Sequence, residues 1–354
     1  MVRKVGTARI VREIGRGGMG VVFEGMQEAL DRPVAVKALD PRLLRNAEVL
    51  ERFRREGRTY ARLRHEAIVA VHDLVEREEG IYLVTEYVDG ADLARVLEEG
   101  GPLPPDCVAV IGARVAEALD YVHFEKLLHR DVKPANVMVS RDGEVKLMDF
   151  GIAKGNEDLS LTSDGMLVGS PSYMAPEVLT GVEGSPAADV WALGVALYEL
   201  LTGEKPFTGR NAQELFSAIG KGRFKRVRRL APDCPRKLAR AVERCLSRDP
   251  AGRWPSAGAL GETLTAIATR HMPRGMNARA RLVSMMTHRG FVTEAVALTR
   301  IEISTLESTA FADLPRGEVT SVEFPVPTRR AAFRAGVAVL LAVVAGITAW
   351  LIRL

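Results

Sequence analysis

Between residues 8 and 37, apolar and polar positions alternate with period two and glycines punctuate the run, which predicts antiparallel strands. Val34-Ala35-Val36-Lys37 is a short apolar strand ending on a lysine. From 47 to 65 the period changes. Phe53, Glu56, Tyr60 and Leu63 fall three or four apart, which predicts a helix with these side chains on one inward stripe. Ile81 to Val88 reads as a buried strand that breaks at Asp89-Gly90. An apolar-periodic helix is expected over 105–126, behind Pro104-Pro105, with two short strands after it at 137–139 and 145–148. Residues 149–177 show little periodicity, and a loop of that length inside a compact domain commonly carries function. Asp189-Val190-Trp191-Ala192-Leu193-Gly194 opens a strongly apolar helix to about Leu201, and helical patterns continue to about 268.

Residues 269–334 are expected to be a partly helical linker, with a helix or two within 278–310 and Pro315, Pro325 and Pro327 in the remainder. Ala335 to Ile352 then runs without a single charge. At ~1.5 Å per residue such a helix reaches roughly 27 Å, enough to span the hydrocarbon core of a bilayer. Arg329, Arg330 and Arg334 precede this stretch. The positive-inside rule therefore predicts a single-pass, C-terminal anchor in the inner (cell) membrane, with the preceding domain in the cytoplasm. Ala338, Ala342 and Gly346 repeat every four residues, a small-residue face suited to pairing two such helices in a homodimer.

The 354 residues, 47% hydrophobic and 27% charged, describe a chain able to bury a substantial core. A net charge of +4 is mildly basic, and no nucleic-acid-binding motif accompanies it. Basic residues concentrate in 221–240, which reads as a solvated face or as a contact for acidic substrate or anionic lipid. Cys107, Cys234 and Cys245 form no CxxC pair and suit a reducing compartment. Met1-Val2-Arg3-Lys4 leads into strand pattern with no apolar leader region.

The candidate chemistry centres on His129-Arg130-Asp131-Val132-Lys133-Pro134-Ala135-Asn136, followed by Asp149-Phe150-Gly151. Phosphoryl transfer needs a carboxylate to accept the proton of the attacking hydroxyl, which Asp131 fits. It also needs oxygen ligands to hold Mg²⁺ on the phosphates, which Asn136 and Asp149 fit. Upstream, Gly15-Arg16-Gly17-Gly18-Met19-Gly20 precedes Val21-Val22-Phe23. A dinucleotide-type glycine loop opens a helix, whereas β-branched residues here predict a hairpin whose backbone N–H groups approach phosphates. Lys37 offers a point charge for the α- and β-phosphates, and the inward Glu56 is its expected partner, with Glu51 as the alternative. Backbone groups of Glu86 and Val88 are placed to pair with an adenine edge. Asp92 either reaches a ribose hydroxyl or belongs to a plain turn, and Met138 either floors the adenine pocket or belongs to the core.

Taken together these motifs, with Ala175-Pro176-Glu177, resemble the eukaryotic-like (Hanks-type) serine/threonine protein kinases of bacteria, in the family's order over roughly 8–268. The resemblance implies an α+β, two-lobed fold, with a β-rich N-lobe (about 8–88) and a mainly helical C-lobe (about 89–268). It implies ATP and Mg²⁺ as cofactors, with Mn²⁺ as a substitute. The nucleotide would be bound by Gly15, Gly17, Gly20, Val22, Ala35, Lys37, Glu86, Val88, Asp92 and Met138, with Thr85 as gatekeeper. It makes Asp131 the catalytic base, Lys133 the γ-phosphate contact, and Lys37–Glu56 an ion pair. Glu177 and Arg253 would form a second, buried pair. Arg130 would bind a phosphate on the activation loop, for which Thr162 and Ser163 are the expected acceptors. Position 170 is Ser where the family usually has Thr. The implied activity is phosphorylation of Ser/Thr hydroxyls on proteins, including the chain's own activation loop, in membrane-anchored signalling. A membrane-anchored pseudokinase scaffold is the competing reading. It would lack one of Lys37, Asp131, Asn136 or Asp149, and all four are present. A small-molecule kinase would not need the A-P-E segment or the hydroxyl-bearing loop before it.

Overall fold

The alternating stretch folds as an antiparallel sheet. The computed structural model describes residues 4–17, 20–40, 47–77, 80–150 and 171–293, within a unit ending at Thr309. Strands β1 (Lys4–Val5), β2 (Ala8–Gly17), β3 (Gly20–Gln27), β4 (Arg32–Leu39), β5 (Val71–Arg77) and β6 (Gly80–Glu86) lie in the order β1-β2-β3-β4-β6-β5. Alternation along β4 sorts its side chains. Val34 and Val36 are buried in a small core with Val5, Ala8, Tyr82 and Val84. Ala35 and Lys37 take the opposite face, directly across from Thr85 and Leu83 of β6. Each buried aliphatic side chain contributes about 1.5–3 kcal/mol. A one-residue slip would therefore turn the whole set to the wrong face. The hairpin between β2 and β3 closes with Gly17 opposite Gly20. Gly20 has φ 139 and crosses so near β4 that a Cβ would sit 1.8 Å from the carbonyl oxygen of Ala38. Only glycine fits there.

Helix α1 (Ala47–Tyr60) covers one face of the sheet with Phe53 and Tyr60 buried. It ends five residues before the expected boundary. Arg62 N–H donates to Thr59 O and Leu63 N–H to Tyr60 O, so a tightened last turn replaces regular helix and still buries Leu63.

The second lobe is built on α3 (Pro105–Phe124) and α5 (Pro186–Thr202), each buried almost all round. Both are apolar over most of their surface, as a central helix must be, and α3 keeps polar side chains at Asp106, Arg114, Glu117 and Asp120. Against them pack α8 (Arg236–Cys245), α9 (Ala257–His271) and the shorter α7 (Val227–Leu230), while α4 (Pro176–Leu179) and α6 (Ala212–Lys221) pack on each other. Strands β7 (Gly90–Asp92), β8 (Val137–Ser140) and β9 (Val145–Leu147) form a small antiparallel sheet. Helix α2 (Leu93–Gly100) follows β7 directly. Helix α5 begins three residues before Asp189, and α10 (Ala278–His288), in the expected linker, packs on α3. All three cysteines are free and buried, and burial pushes the Cys107 and Cys245 thiols up to about 12, so neither is a reactive thiolate at neutral pH. Among the described residues no helix is long and apolar enough to cross a membrane. The expected span 335–352 lies outside the described residues.

The lobe is locked by Arg253, whose side chain is 0% exposed. Its two Nη groups donate to the two carboxylate oxygens of Glu177, both at 2.7 Å. Further donations reach Ala187 O and Ser247 O, and the guanidinium lies over the Trp191 ring. A charge taken out of water is tolerable only when so fully paired. Glu177→Ala leaves the guanidinium buried without its counter-ion. Chemical denaturation should show a loss of about 3–5 kcal/mol.

Candidate active site

The two lobes meet around a cleft that encloses, with its open mouth, about 1030 Å³. Val22, Ala35, Lys37, Thr85 and Leu83 line it from the sheet, Glu86 and Val88 from the connection, and Met138, Met148 and Asp149 from below. The pleat decides this. Val22 stands opposite Lys37, and Lys37 opposite Leu83, so one face of three adjacent strands becomes the roof. Along β8, Val137 and Val139 go into the core while Met138 alternates into the cleft. At Gly15 and Gly17 an added Cβ would meet nothing within 4 Å. Among the described residues these two positions thus stay open, and a phosphate can approach the backbone there closely.

Asp92, Lys37 and Glu56 sit differently from expectation. Asp92 is not among the cleft-lining residues. Its carboxylate accepts from Arg95 N–H at 2.9 Å and N-caps α2. Glu86 turns its side chain away, to Lys146 Nζ at 2.7 Å and to the Ala70 N–H. Only its backbone is then offered to the cleft. The expected Lys37–Glu56 pair does not form among the described ion pairs. Lys37 Nζ lies 2.8 Å from Asp149 Oδ1, and Glu56 Oε1 faces Arg130 Nη1 at 3.6 Å. The helical stripe itself is as read, since the Glu56 side chain is 15% exposed and that of Glu51 75%. Helix phase turns Glu56 inward, and among the described ion pairs its cation is Arg130 rather than Lys37. Arg130 (φ 64) and Asp149 (φ 54) are both left-handed. Non-glycine residues in that region cost about 1–3 kcal/mol each and persist only where neighbours over-determine them.

Those neighbours are identifiable. Asp189, wholly buried, accepts from the backbone N–H of His129 and of Arg130, each at 2.9 Å, and contacts His123 Nε2 at 2.9 Å. Burial, the largest single influence, pushes its carboxyl up, but the hydrogen bond and charge of His123 and the backbone N–H of His129 outweigh it and hold the carboxyl below its usual range. His129 is pushed down by burial and so stays neutral. Its Nδ1 accepts from Asp131 N–H at 3.3 Å, which leaves Nε2–H to donate to Met148 O at 3.1 Å. One side chain thereby ties the catalytic-loop backbone to the residue preceding Asp149. Phe150 closes the assembly, stacked on Tyr60 at 4.3 Å and tilted against His129 at 4.6 Å.

Asp131 is 9% exposed. Lys133 Nζ lies 2.9 Å from Asp131 Oδ2, and Asn136 Nδ2 donates to the same oxygen at 3.0 Å and to Asp131 O at 2.7 Å. Because Asn136 spends its N–H groups on Asp131, its amide oxygen is the atom left to accept. With the Asp149 carboxylate it makes the hard oxygen pair that Mg²⁺ takes. The donor set fits a divalent metal on phosphates. The cationic stretch 221–240 lies elsewhere, with Arg236, Lys237 and Arg240 exposed on α8. Thr162 and Ser163 lie outside the described residues. Sequence reading missed Ile14, Leu83 and Met148 as lining residues. The signal that could have found two of them is position: Ile14 directly precedes Gly15, and Met148 directly precedes Asp149.

Comparison with known proteins agrees with this geometry. Residues 8–264 match the protein kinase domain family. The serine/threonine-protein kinase PknL of Mycobacterium tuberculosis is 38% identical over 256 residues, covering 72% of this chain. PknA of the same organism is 38% identical over 279 residues, covering 76%. This chain spans about two thirds of those relatives, 64% and 63% of their lengths. The crystal structure of the M. tuberculosis PknI kinase domain superposes with TM-score 0.61 at 29% identity, covering 75% of this chain and 97% of that one. The chain belongs to the protein kinase family, in its bacterial Hanks-type serine/threonine branch.

Asp189→Asn leaves one acceptor oxygen for two backbone N–H groups. It should cost about 1–3 kcal/mol of stability and lower kcat. Because the folded-state carboxyl titrates below its unfolded value, its contribution is complete above about pH 4 and is lost as pH falls further. Denaturation curves should show the gap between wild type and D189N narrowing below about pH 4.

Proposed function

We propose that this chain transfers the γ-phosphoryl group of ATP to Ser/Thr hydroxyls of proteins. The observation that carries the reading is the Asp131–Lys133–Asn136 cluster, held within one strained loop, with Asn136 reaching Asp149 O at 3.4 Å and the Asp149 carboxylate 2.8 Å from Lys37. Asp131 Oδ2 takes the hydroxyl proton as that oxygen bonds phosphorus and the bond to the ADP oxygen breaks. Lys133, at 2.9 Å from Asp131, places positive charge beside the transferred group. Lys37 and the glycine hairpin hold the remaining phosphates. The apolar walls at Ala35 and Met138 take the adenine, with the backbone of Glu86 and Val88 at its edge. A divalent ion held by Asn136 and Asp149 would neutralise phosphate charge.

The pairing of Arg130 with Glu56 and of Asp149 with Lys37 is a resting arrangement in this reading. Phosphate on Thr162 or Ser163 offers Arg130 a doubly charged partner, which releases Glu56 toward Lys37 and frees Asp149 for the metal. Residues 335–352 anchor the chain in the membrane with the kinase domain cytoplasmic. Their uncharged length and the arginines before them support this. The small-residue face of that segment supports pairing of two copies.

Full-length protein incubated with Mg·ATP should gain mass in whole phosphates, and the Asp131→Asn form should gain none. Peptide mapping should place phosphate on Thr162 or Ser163. No gain in either form, in membranes as well as in detergent, would leave a scaffold rather than an enzyme. Separately, wild type should stay with the membrane pellet through alkaline extraction, and a chain lacking 335–352 should not.

A further inference from the structure

Helix α10 lies outside the segment that matches the kinase family, which stops at residue 264. An appended helix could be a solvated start of the linker. Its contacts are of another kind. Asn277 caps it by accepting from Ala280 N–H at 2.8 Å, and Leu282, Val283, Met285 and Met286 are buried in the main core. Two arginines on it reach into the lobe. Arg281 makes a two-pronged bond with Asp106, in the first turn of α3, through Nε and through Nη2 at 3.1 Å. Arg289, just past the end of α10, donates to Val96 O at 3.0 Å, Gly101 O at 2.9 Å and Pro102 O at 2.6 Å. A helix C-terminus leaves its last carbonyls without internal partners, and a guanidinium fork is the side chain that satisfies several at once. Phe291 follows, with Arg95 of α2 over its ring. At the other end Arg279 pairs with Glu144 in the β8–β9 turn, where a Cβ on Gly143 would sit 2.4 Å from Arg279 O.

The elements so gripped are those beneath the cleft. The β8–β9 hairpin carries Met138, and Met148 follows β9 directly. Helix α2 begins five residues past Val88, and β7 between them pairs with β8 so that Asp92 stands opposite Met138. Both ends of this floor are therefore fixed from behind by one short helix.

We infer that Arg281 and Arg289 are positioning residues for the nucleotide cleft, so that nucleotide affinity depends on a helix outside the family-matching segment. The inference rests on the cleft being the ATP site. Neither arginine touches the nucleotide. Arg281 acts through the first turn of α3, and Arg289 through the C-terminal end of α2 and the residues that follow it.

The test uses the full chain. Arg289→Ala and Arg281→Ala should raise KM for ATP by about three- to tenfold, with kcat changing much less. The dissociation constant of a fluorescent ATP analogue, read without turnover, should rise in parallel. Amide exchange over 93–103 should quicken. Arg289→Lys keeps the charge without the planar fork. It should give an intermediate KM and carries the test if R289A does not fold. A lower melting temperature with unchanged KM and unchanged analogue binding would overturn the inference and leave α10 a fold-stabilising helix only. A wild type that binds no nucleotide would overturn the ATP-site reading and this inference with it. Normal wild-type binding with unaffected variants would overturn this inference alone.

Discussion

The catalytic loop depends on one buried carboxylate. Asp189 sits in the first turn of a helix that is otherwise apolar, and its cost of burial is offset by two backbone N–H groups and a histidine. Those N–H groups belong to His129 and Arg130, and the second is in the left-handed region. Without a fixed acceptor behind it, that backbone would relax. With it, the side chains of Asp131, Lys133 and Asn136 converge on one oxygen, Asp131 Oδ2. The acid–base group is thus presented by a strained loop over-determined from the core side, an arrangement known at catalytic sites generally.

From that loop, order spreads by two routes. His129 passes it to Met148 O and so to Asp149, while Phe150 passes it through ring packing to Tyr60 at the end of α1. Helix α1 carries Glu56, so the two lobes communicate through aromatic contact as well as through charge. Arg130 closes the circuit by reaching back to Glu56 at 3.6 Å. Four charged groups, Lys37, Glu56, Arg130 and Asp149, thereby share two pairings.

Away from the cleft, the helical lobe shows how much polar machinery a mostly apolar core tolerates. Arg253 is fully buried yet has a bidentate carboxylate, backbone carbonyls and an indole face around it. Arg281 and Arg289 repeat the device nearer the surface. In each case a guanidinium joins segments far apart in sequence, because its several donors can serve several carbonyls where a lysine would offer a point charge.

Much of this was legible from residues alone. Period-two alternation placed Lys37 and Ala35 on one face, helical spacing turned Glu56 inward, and the fixed offsets within 129–136 and to Asp149 located the chemistry. Such features are local: they follow from the geometry of a strand, a helix or a short loop. What spacing could not reach were choices among partners distant in sequence. Which cation faces Glu56 depended on Arg130, a catalytic-loop residue far along the chain, coming within 3.6 Å of it. Asp92 became a helix cap because β7 leads straight into α2. Met138 became cleft rather than core because its neighbours Val137 and Val139 claimed the interior. The role of α10 is visible only where Arg289 meets carbonyls nearly 190 residues earlier. Sequence determines which groups exist and which way each local element turns them. Only the packed tertiary structure decides which charge is nearest, because that distance is set by several elements at once.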